Sequence, residues 1–120
     1  MKIVVSSTGA TKESPVDPRF GRAAQFILFD TETGEYRAVC NDQNLQAAQG
    51  SGIQAAVAVS RLGAQYLITG NCGPKAFRAL AAAGIKVVVG AEGTVAEVIE
   101  KFQAGKLSPS NAPNVEGHWG

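Results

Sequence analysis

Read for apolar and polar positions, the chain divides into eight regular segments joined by two long loops. "KIVVSS" (2–7) is a short apolar run rich in β-branched residues, which predicts a buried strand. "QFILFD" (25–30) and "EYRAVC" (35–40) flank "TETG", a hairpin signal in which Gly34 can take the positive φ of the turn. "IQAAVAVSRL" (53–62) predicts a small-residue helix stopped by Gly63. "AQYLIT" (64–69) predicts a strand. "PKAFRALAAA" (74–83) predicts a helix with Pro74 at its first position and Gly84 as its stop. "IKVVVG" (85–90) predicts the last strand. "TVAEVIEKFQAG" (94–105) carries the clearest helix marks. Thr94 and Glu97 have capping-box spacing, Val95, Val98, Ile99 and Phe102 share one apolar face, and Gly105 ends it. The loops are "TGATKESPVDPRFGRAA" (8–24) and "NDQNLQAAQGSG" (41–52). The polar tail "KLSPSNAPNVEGHWG", with two prolines, predicts extended chain.

The order is strand, strand, strand, helix, strand, helix, strand, helix. An antiparallel meander followed by alternating units predicts an α/β domain with a mixed five-stranded sheet. Right-handed crossovers make the fourth and fifth strands parallel to the first, giving the sheet order 3-2-1-4-5 with strand 2 antiparallel. That layout resembles the ribonuclease-H-like three-layer fold, with helices flanking the sheet. One domain over residues 1–107 and an extended tail over 108–120 is the expected organisation.

Composition narrows the function more than the fold. A formal charge of +1 and basic residues spread from Lys2 to Lys106 provide no global attraction for nucleic acid or a membrane. No apolar stretch approaches the roughly 20 residues of a spanning helix, and "MKIVVSSTGA" lacks the apolar core of a signal peptide. A soluble, cytoplasmic protein is expected. The two cysteines, Cys40 and Cys72, form no CxxC, so a disulfide framework is not expected. With His118 they leave a structural zinc site short of ligands. A metal held here would bring most of its own ligands.

The expected topology brings three segments to the carboxyl edge of the sheet, between strands 1 and 4, where open α/β sheets bind ligands. These are "DPRFGRA", "QGSG" at the start of the first helix, and "GNCGP" at the start of the second. Gly50, Gly52, Gly70 and Gly73 remove side chains and would let a ligand approach the backbone. The N-termini of the two helices supply unpaired N–H groups and partial positive charge. Arg19, Arg22 and Lys75 add full charges, Gln49, Ser51 and Asn71 add hydrogen-bonding groups, and Pro74 opens the second helix. Each residue also has a plain structural reading. Glycines at helix ends are commonly structural, "DPRFGR" can be a turn with a solvated arginine, and Cys40, ending a hairpin strand, is expected in the core. Cys72 is either a buried small residue or, beside a helix N-terminus that favours its thiolate, a metal ligand.

Other chemistries fit less well. A two-metal nuclease needs clustered carboxylates. Asp17, Asp30 and Asp42 are available, but neither "KIVVSS" nor "AQYLIT" holds an acid. A nucleotide-binding regulatory module could use the same glycine turns, though no P-loop or GxGxxG pattern is present.

In order along the chain, "MKIVVSS", "FGRAAQF", the Asn44-to-Gly52 segment ending in "QGSG", "TGNCGPKAF", "AAGIKVVVG" and "FQAGKL" resemble the dinitrogenase iron–molybdenum cofactor biosynthesis family over residues 1–107. The resemblance implies a ribonuclease-H-like fold and a role in binding, carrying or building iron–molybdenum–sulfur cofactors or their precursors. "SPVDPRFGRAAQF", "GPKAF" and "NVEGHW" resemble one branch of that family more closely. That branch holds a molybdenum–copper sulfide cluster without covalent attachment. Many family members have histidines in the segment matching "QAAQGSG", and this chain has none there. The resemblance therefore implies a non-enzymatic pocket that binds an anionic molybdenum–copper sulfide cluster without obligatory metal ligands, Cys72 being the one candidate. An iron–molybdenum precursor is the alternative cargo. The receiving protein partner is unnamed by the sequence, as is any role of His118 and Trp119.

Overall fold

The computed structural model describes residues 1–41 and 51–113. Five strands, β1 (Lys2–Ser7), β2 (Gln25–Asp30), β3 (Tyr36–Cys40), β4 (Tyr66–Ile68) and β5 (Lys86–Val88), form one sheet in the order β3-β2-β1-β4-β5. β1 and β2 pair antiparallel, as do β2 and β3, whereas β4 runs parallel to β1 and β5 parallel to β4. Three helices complete the fold: α1 (Ser51–Arg61), α2 (Pro74–Ala82) and α3 (Val95–Gln103). The predicted α/β class, sheet order and strand directions are those observed.

Strand periodicity sorts the core into two layers. Val4, Phe26, Leu28, Leu67 and Val87 pack with Ala55, Ala56 and Val59 of α1 and with Ala76 and Leu80 of α2. The neighbouring positions Ile3, Val5, Ile27, Phe29, Ile68 and Val88 pack on the other face with Val95, Val98 and Ile99 of α3. Small residues on α1 and α2 let both helices lie close to the sheet and to each other. Each fully buried Ile, Leu or Phe contributes roughly 1.5–3 kcal/mol.

Element ends differ from the expectation by a few residues. α1 starts at Ser51, two positions before its first large apolar residue. β4 and β5 have only three residues each, and their pairing continues as single bonds: the Thr69 N–H donates to Val88 O at 2.9 Å and the Ala91 N–H to Thr69 O at 3.2 Å. Gly63, Gly84 and Gly105 follow the helices with φ near +77°, the conformation expected of helix-ending glycines. One expectation is overturned: Cys40 is exposed, not core. It ends the edge strand β3, most of which no helix covers. The tail is anchored at its start, with Leu107 packed against the α3-side core and the Ser110 N–H donating to Val87 O at 2.7 Å.

The capping box of α3 is present. The Glu97 N–H donates to Thr94 Oγ1 at 3.2 Å, and the Thr94 N–H donates to Glu97 Oε1 at 2.9 Å. Hydrogen bonding to the carboxylate from Thr94, its backbone N–H first and its side chain second, holds the Glu97 carboxyl below its usual pKa. The long loop completes this helix end: the Val95 and Ala96 N–H groups donate to Ser14 O and Lys12 O at 3.0 and 2.8 Å. Replacing Thr94 with Ala removes one arm of the box. The expected cost is about 1 kcal/mol of stability, read as a lower urea midpoint with an unchanged slope.

Candidate functional site

The carboxyl edge of the sheet is organised by the second half of the first loop. The Asp17 N–H donates to Ser6 O at 2.9 Å, and the Ser6 hydroxyl donates to Asp17 O at 2.8 Å while lying 2.8 Å from the Thr69 hydroxyl. Asp17 therefore ties the loop to β1 and, through Ser6, to the end of β4. Its own carboxylate is buried, and Oδ1 accepts the Arg19 N–H at 3.0 Å, forming an Asx turn across Pro18. The next residues run alongside the turn after β4. Arg19 and Asn71 form a parallel bridge, and the Phe20 N–H donates to Asn71 O at 3.3 Å. Phe20 is fully buried, its ring centroid 5.6 Å from that of Phe26. This apolar anchor leaves Arg19, one residue earlier, exposed.

Gly70 explains why the approach is so close. A Cβ there would lie 2.7 Å from Pro18 Cα. Its missing side chain makes room for the loop. The Gly70 carbonyl accepts the Gly90 N–H at 2.8 Å.

Both α1 and α2 begin at this edge, because β3 and β4, which precede them, run parallel to β1. α2 has Gly73 as its N-cap and no side-chain cap, with Pro74 opening its first turn. Neither helix has an acidic residue in its first turn, unlike α3 with Glu97. Around these starts Arg19, Arg22 and Lys75 are exposed, Asn71 and Pro74 are half-buried, and Gly52, Gly70, Cys72 and Gly73 are buried. The structure thus brings "DPRF" and "GNCGP" into direct contact and sets the start of α1 at the same edge. Gln49, Gly50, Asp42, His118 and Trp119 lie outside the described residues, as does the side chain of Ser51.

Cys72 sits in the α1–α2 core with no exposed surface, its Sγ 3.7 Å from Gly73 O. Burial pushes its thiol up to about 12. The expected help from the helix N-terminus toward the thiolate is overridden by desolvation. Of the acids weighed for nuclease chemistry, Asp17 lies beside Ser6, whereas Asp30 pairs with Lys2 at the opposite end of the sheet. Among the described residues, no three of His, Cys, Asp or Glu gather to hold a metal ion. Sequence reasoning missed the positioning work of Asp17, Pro18 and Phe20. The Asp-Pro pair was the available signal, since it marks a turn with a side-chain bond to the backbone.

An α/β domain of ribonuclease-H-like layout, with loop, sheet edge and two helix starts converging at one end, is the class this arrangement defines. Within that class, the chain belongs to the dinitrogenase iron–molybdenum cofactor family, whose profile matches residues 1–105. The apo form of the orange protein from Desulfovibrio gigas superposes with a TM-score of 0.93 at 41% identity, covering 95% of this chain and 96% of that one. A Thermotoga protein solved by NMR, put forward as a NifB protein of the DUF35 family, matches with a TM-score of 0.83 at 37% identity over 97% and 98% of the chains. An uncharacterised Methanocaldococcus jannaschii protein is 29% identical over 94 residues, 77% of this chain and 80% of its own length.

Two outcomes follow from this geometry. Gly70→Ala forces Pro18 away and should cost about 1–3 kcal/mol, seen in urea unfolding. A thiol titration with a disulfide reagent at about pH 8 should find Cys40 reactive in the folded protein and Cys72 only after unfolding. The folded Cys72 keeps its proton to about 12, whereas the ordinary thiol value is 9.0. Its contribution to stability is therefore complete below about pH 9 and declines as pH rises through that interval.

Proposed function

We propose that this protein is a non-enzymatic carrier of an anionic metal–sulfur cluster, with a molybdenum–copper sulfide as the best-fitting cargo. The observation that carries the reading is the Arg19–Asn71 bridge, which sets an exposed arginine beside the acid-free, side-chain-uncapped start of α2. Membership of the family supports a molybdenum-containing cargo. The likeness to the orange protein supports the branch in which the cluster binds without covalent attachment.

The donor chemistry suits such a cargo. A thiomolybdate-type cluster arrives with its metals already saturated by sulfide and carries delocalised negative charge. It needs cations and hydrogen-bond donors rather than ligands. Arg19, Arg22 and Lys75 provide the charge, and the Asn71 side chain a polar contact. The start of α1 at Ser51 and Gly52, and the segment from Asn71 through Lys75 that opens α2, provide oriented backbone dipoles. Each charge-assisted hydrogen bond to the cargo contributes about 1.5–3 kcal/mol. The Cys72 side chain, buried and protonated, supports the lining without ligating metal. Gly70 acts through the path of the loop it admits.

Reconstitution with tetrathiomolybdate and copper, followed by visible spectroscopy and metal analysis, tests the reading. Wild type should take up stoichiometric molybdenum and develop a sulfide-to-metal charge-transfer band. Cys72→Ser should retain most of that colour. Asn71→Asp, which adds a negative charge at the bridge, should weaken binding by at least about tenfold, the equivalent of 1.4 kcal/mol. A colourless Cys72→Ser variant that is still folded would reject non-covalent binding, and an Asn71→Asp variant indistinguishable from wild type would reject the location.

A further inference from the structure

The outer face of the helix layer has a charge pattern that a net charge of +1 conceals. α1 and α2 contain no aspartate or glutamate, yet they carry Arg61, Lys75 and Arg78, all exposed. Among the described residues, none of these three cations is in a salt bridge. The described acids lie elsewhere: Glu92, Glu97 and Glu100 on or beside α3, Glu13 in the strap across its start, Asp30, Glu32 and Glu35 at the β2–β3 turn, and Asp17 buried.

The same face is unusually apolar at its centre. Ile53 and Val57 are 42% and 44% exposed, two of the three large apolar side chains left exposed among the described residues. Spaced at i and i+4, they form one stripe along α1 that ends in Arg61 at i+8. On α2, Lys75 and Arg78 stand one turn apart on the exposed side. Neither helix needs these apolar groups for its own packing, which Ala55, Ala56, Val59, Ala76 and Leu80 provide.

We infer that the exposed face of α1 and α2 is a docking surface for a protein partner that presents carboxylates around an apolar contact. The chemistry favours a protein over other polyanions. Two of the three cations are arginine, the residue enriched at protein interfaces and suited to bidentate carboxylate pairing. The apolar centre is two β-branched aliphatic groups, with no exposed aromatic ring on α1 or α2 among the described residues for stacking on bases. Three separated cations fall short of the cluster of 4–8 Lys or Arg that recruits a protein to anionic lipid. The surface adjoins the edge where the two helices start, so a bound partner would stand next to whatever occupies that edge. The docking inference does not require that occupant to be a metal–sulfur cluster.

The test uses the cargo-free full chain and three probes: a synthetic amphipathic helix of about 20 residues with glutamates beside a leucine stripe, phosphatidylglycerol vesicles, and duplex DNA. Backbone amide shifts on titration should move along α1 and α2 with the acidic peptide and leave α3 unmoved. The double variants Ile53→Ser/Val57→Ser and Arg61→Glu/Arg78→Glu should each weaken peptide binding by at least about tenfold, and a lysine-for-glutamate peptide should bind the second variant. No peptide binding, shifts centred on α3, unchanged affinity in the variants, or tighter binding to vesicles or DNA would overturn the inference. Both double variants leave Arg19, Arg22, Asn71 and Lys75 intact. Their colour after reconstitution with tetrathiomolybdate and copper therefore reports cluster binding separately, and loss of one property without the other distinguishes the two readings.

Discussion

The arrangement at the carboxyl edge depends on a single close approach between Pro18 and Gly70. The loop from β1 can run beside the turn after β4 only because position 70 has no side chain. Three interactions then hold it in place. The Asp17 backbone is tied to Ser6, the Asp17 carboxylate accepts the Arg19 N–H, and the Phe20 N–H meets Asn71 O while its ring enters the core. Each link constrains the next over four residues. The backbone of the exposed arginine is consequently fixed by packing and backbone bonds, and among the described residues its charge is in no salt bridge. A solvated arginine on a free turn would lose side-chain and backbone entropy on binding; here the backbone part is already lost in folding.

The three helix starts are treated differently, and the difference has an electrostatic consequence. At α3 the donors of the first turn are consumed by Thr94, Ser14 and Lys12, and Glu97 adds a negative charge where the helix dipole is positive. Nothing anionic is invited there. At α2 the cap residue is a glycine, the first position is a proline without an N–H, and no acid is near in the first turn. A glycine cap forgoes only a few tenths of a kcal/mol relative to a side-chain cap. The same fold thus closes one helix start with side-chain and loop partners and leaves the other without a side-chain cap. The thiol beside that start follows the rule of its surroundings rather than of the dipole. Fully buried within the α1–α2 core, Cys72 is a small apolar residue that happens to contain sulfur.

Nearly all of the scaffold was legible in the sequence because each element carries several agreeing signals. α3 has a capping box, an apolar face and a terminal glycine, and its bounds shift by only one or two residues. Sheet order followed from connection handedness alone. What was not legible depended on contacts between distant segments. Gly70 reads as one more glycine in a turn until Pro18 is placed against it, and no local pattern connects positions 52 residues apart. Asp17 reads as a spare acid until its carboxylate is seen closing a turn. Cys40 was misjudged for a related reason: alternation along β3 tells which residues share a face, not whether any helix covers that face. The candidate residues Arg19, Asn71 and Lys75 were nameable because cations and glycines near helix starts have a physical meaning. Their relative placement had to come from the fold.

Charge distribution carries the argument one step further than composition could. Eleven basic and ten acidic residues nearly cancel, which speaks against a molecule built to adhere to polyanions in general. Placed on the fold, the described charges are sorted: apart from the buried Asp17, the acids gather around α3 and the β2–β3 turn, and α1 and α2 carry only cations. A carrier has reason for such sorting. Under the proposed reading it would hold an anion at the helix starts strongly enough to transport it, yet release it to a chosen recipient. A recipient with a carboxylate on Arg78, about one turn from the start of α2, would dock beside the cargo and bring negative potential toward the same edge. Within the Debye length of about 8 Å at physiological salt, that potential would oppose the hold of Arg19 and Lys75 on an anion. Docking would then loosen the cargo by the electrostatics that attracted the partner.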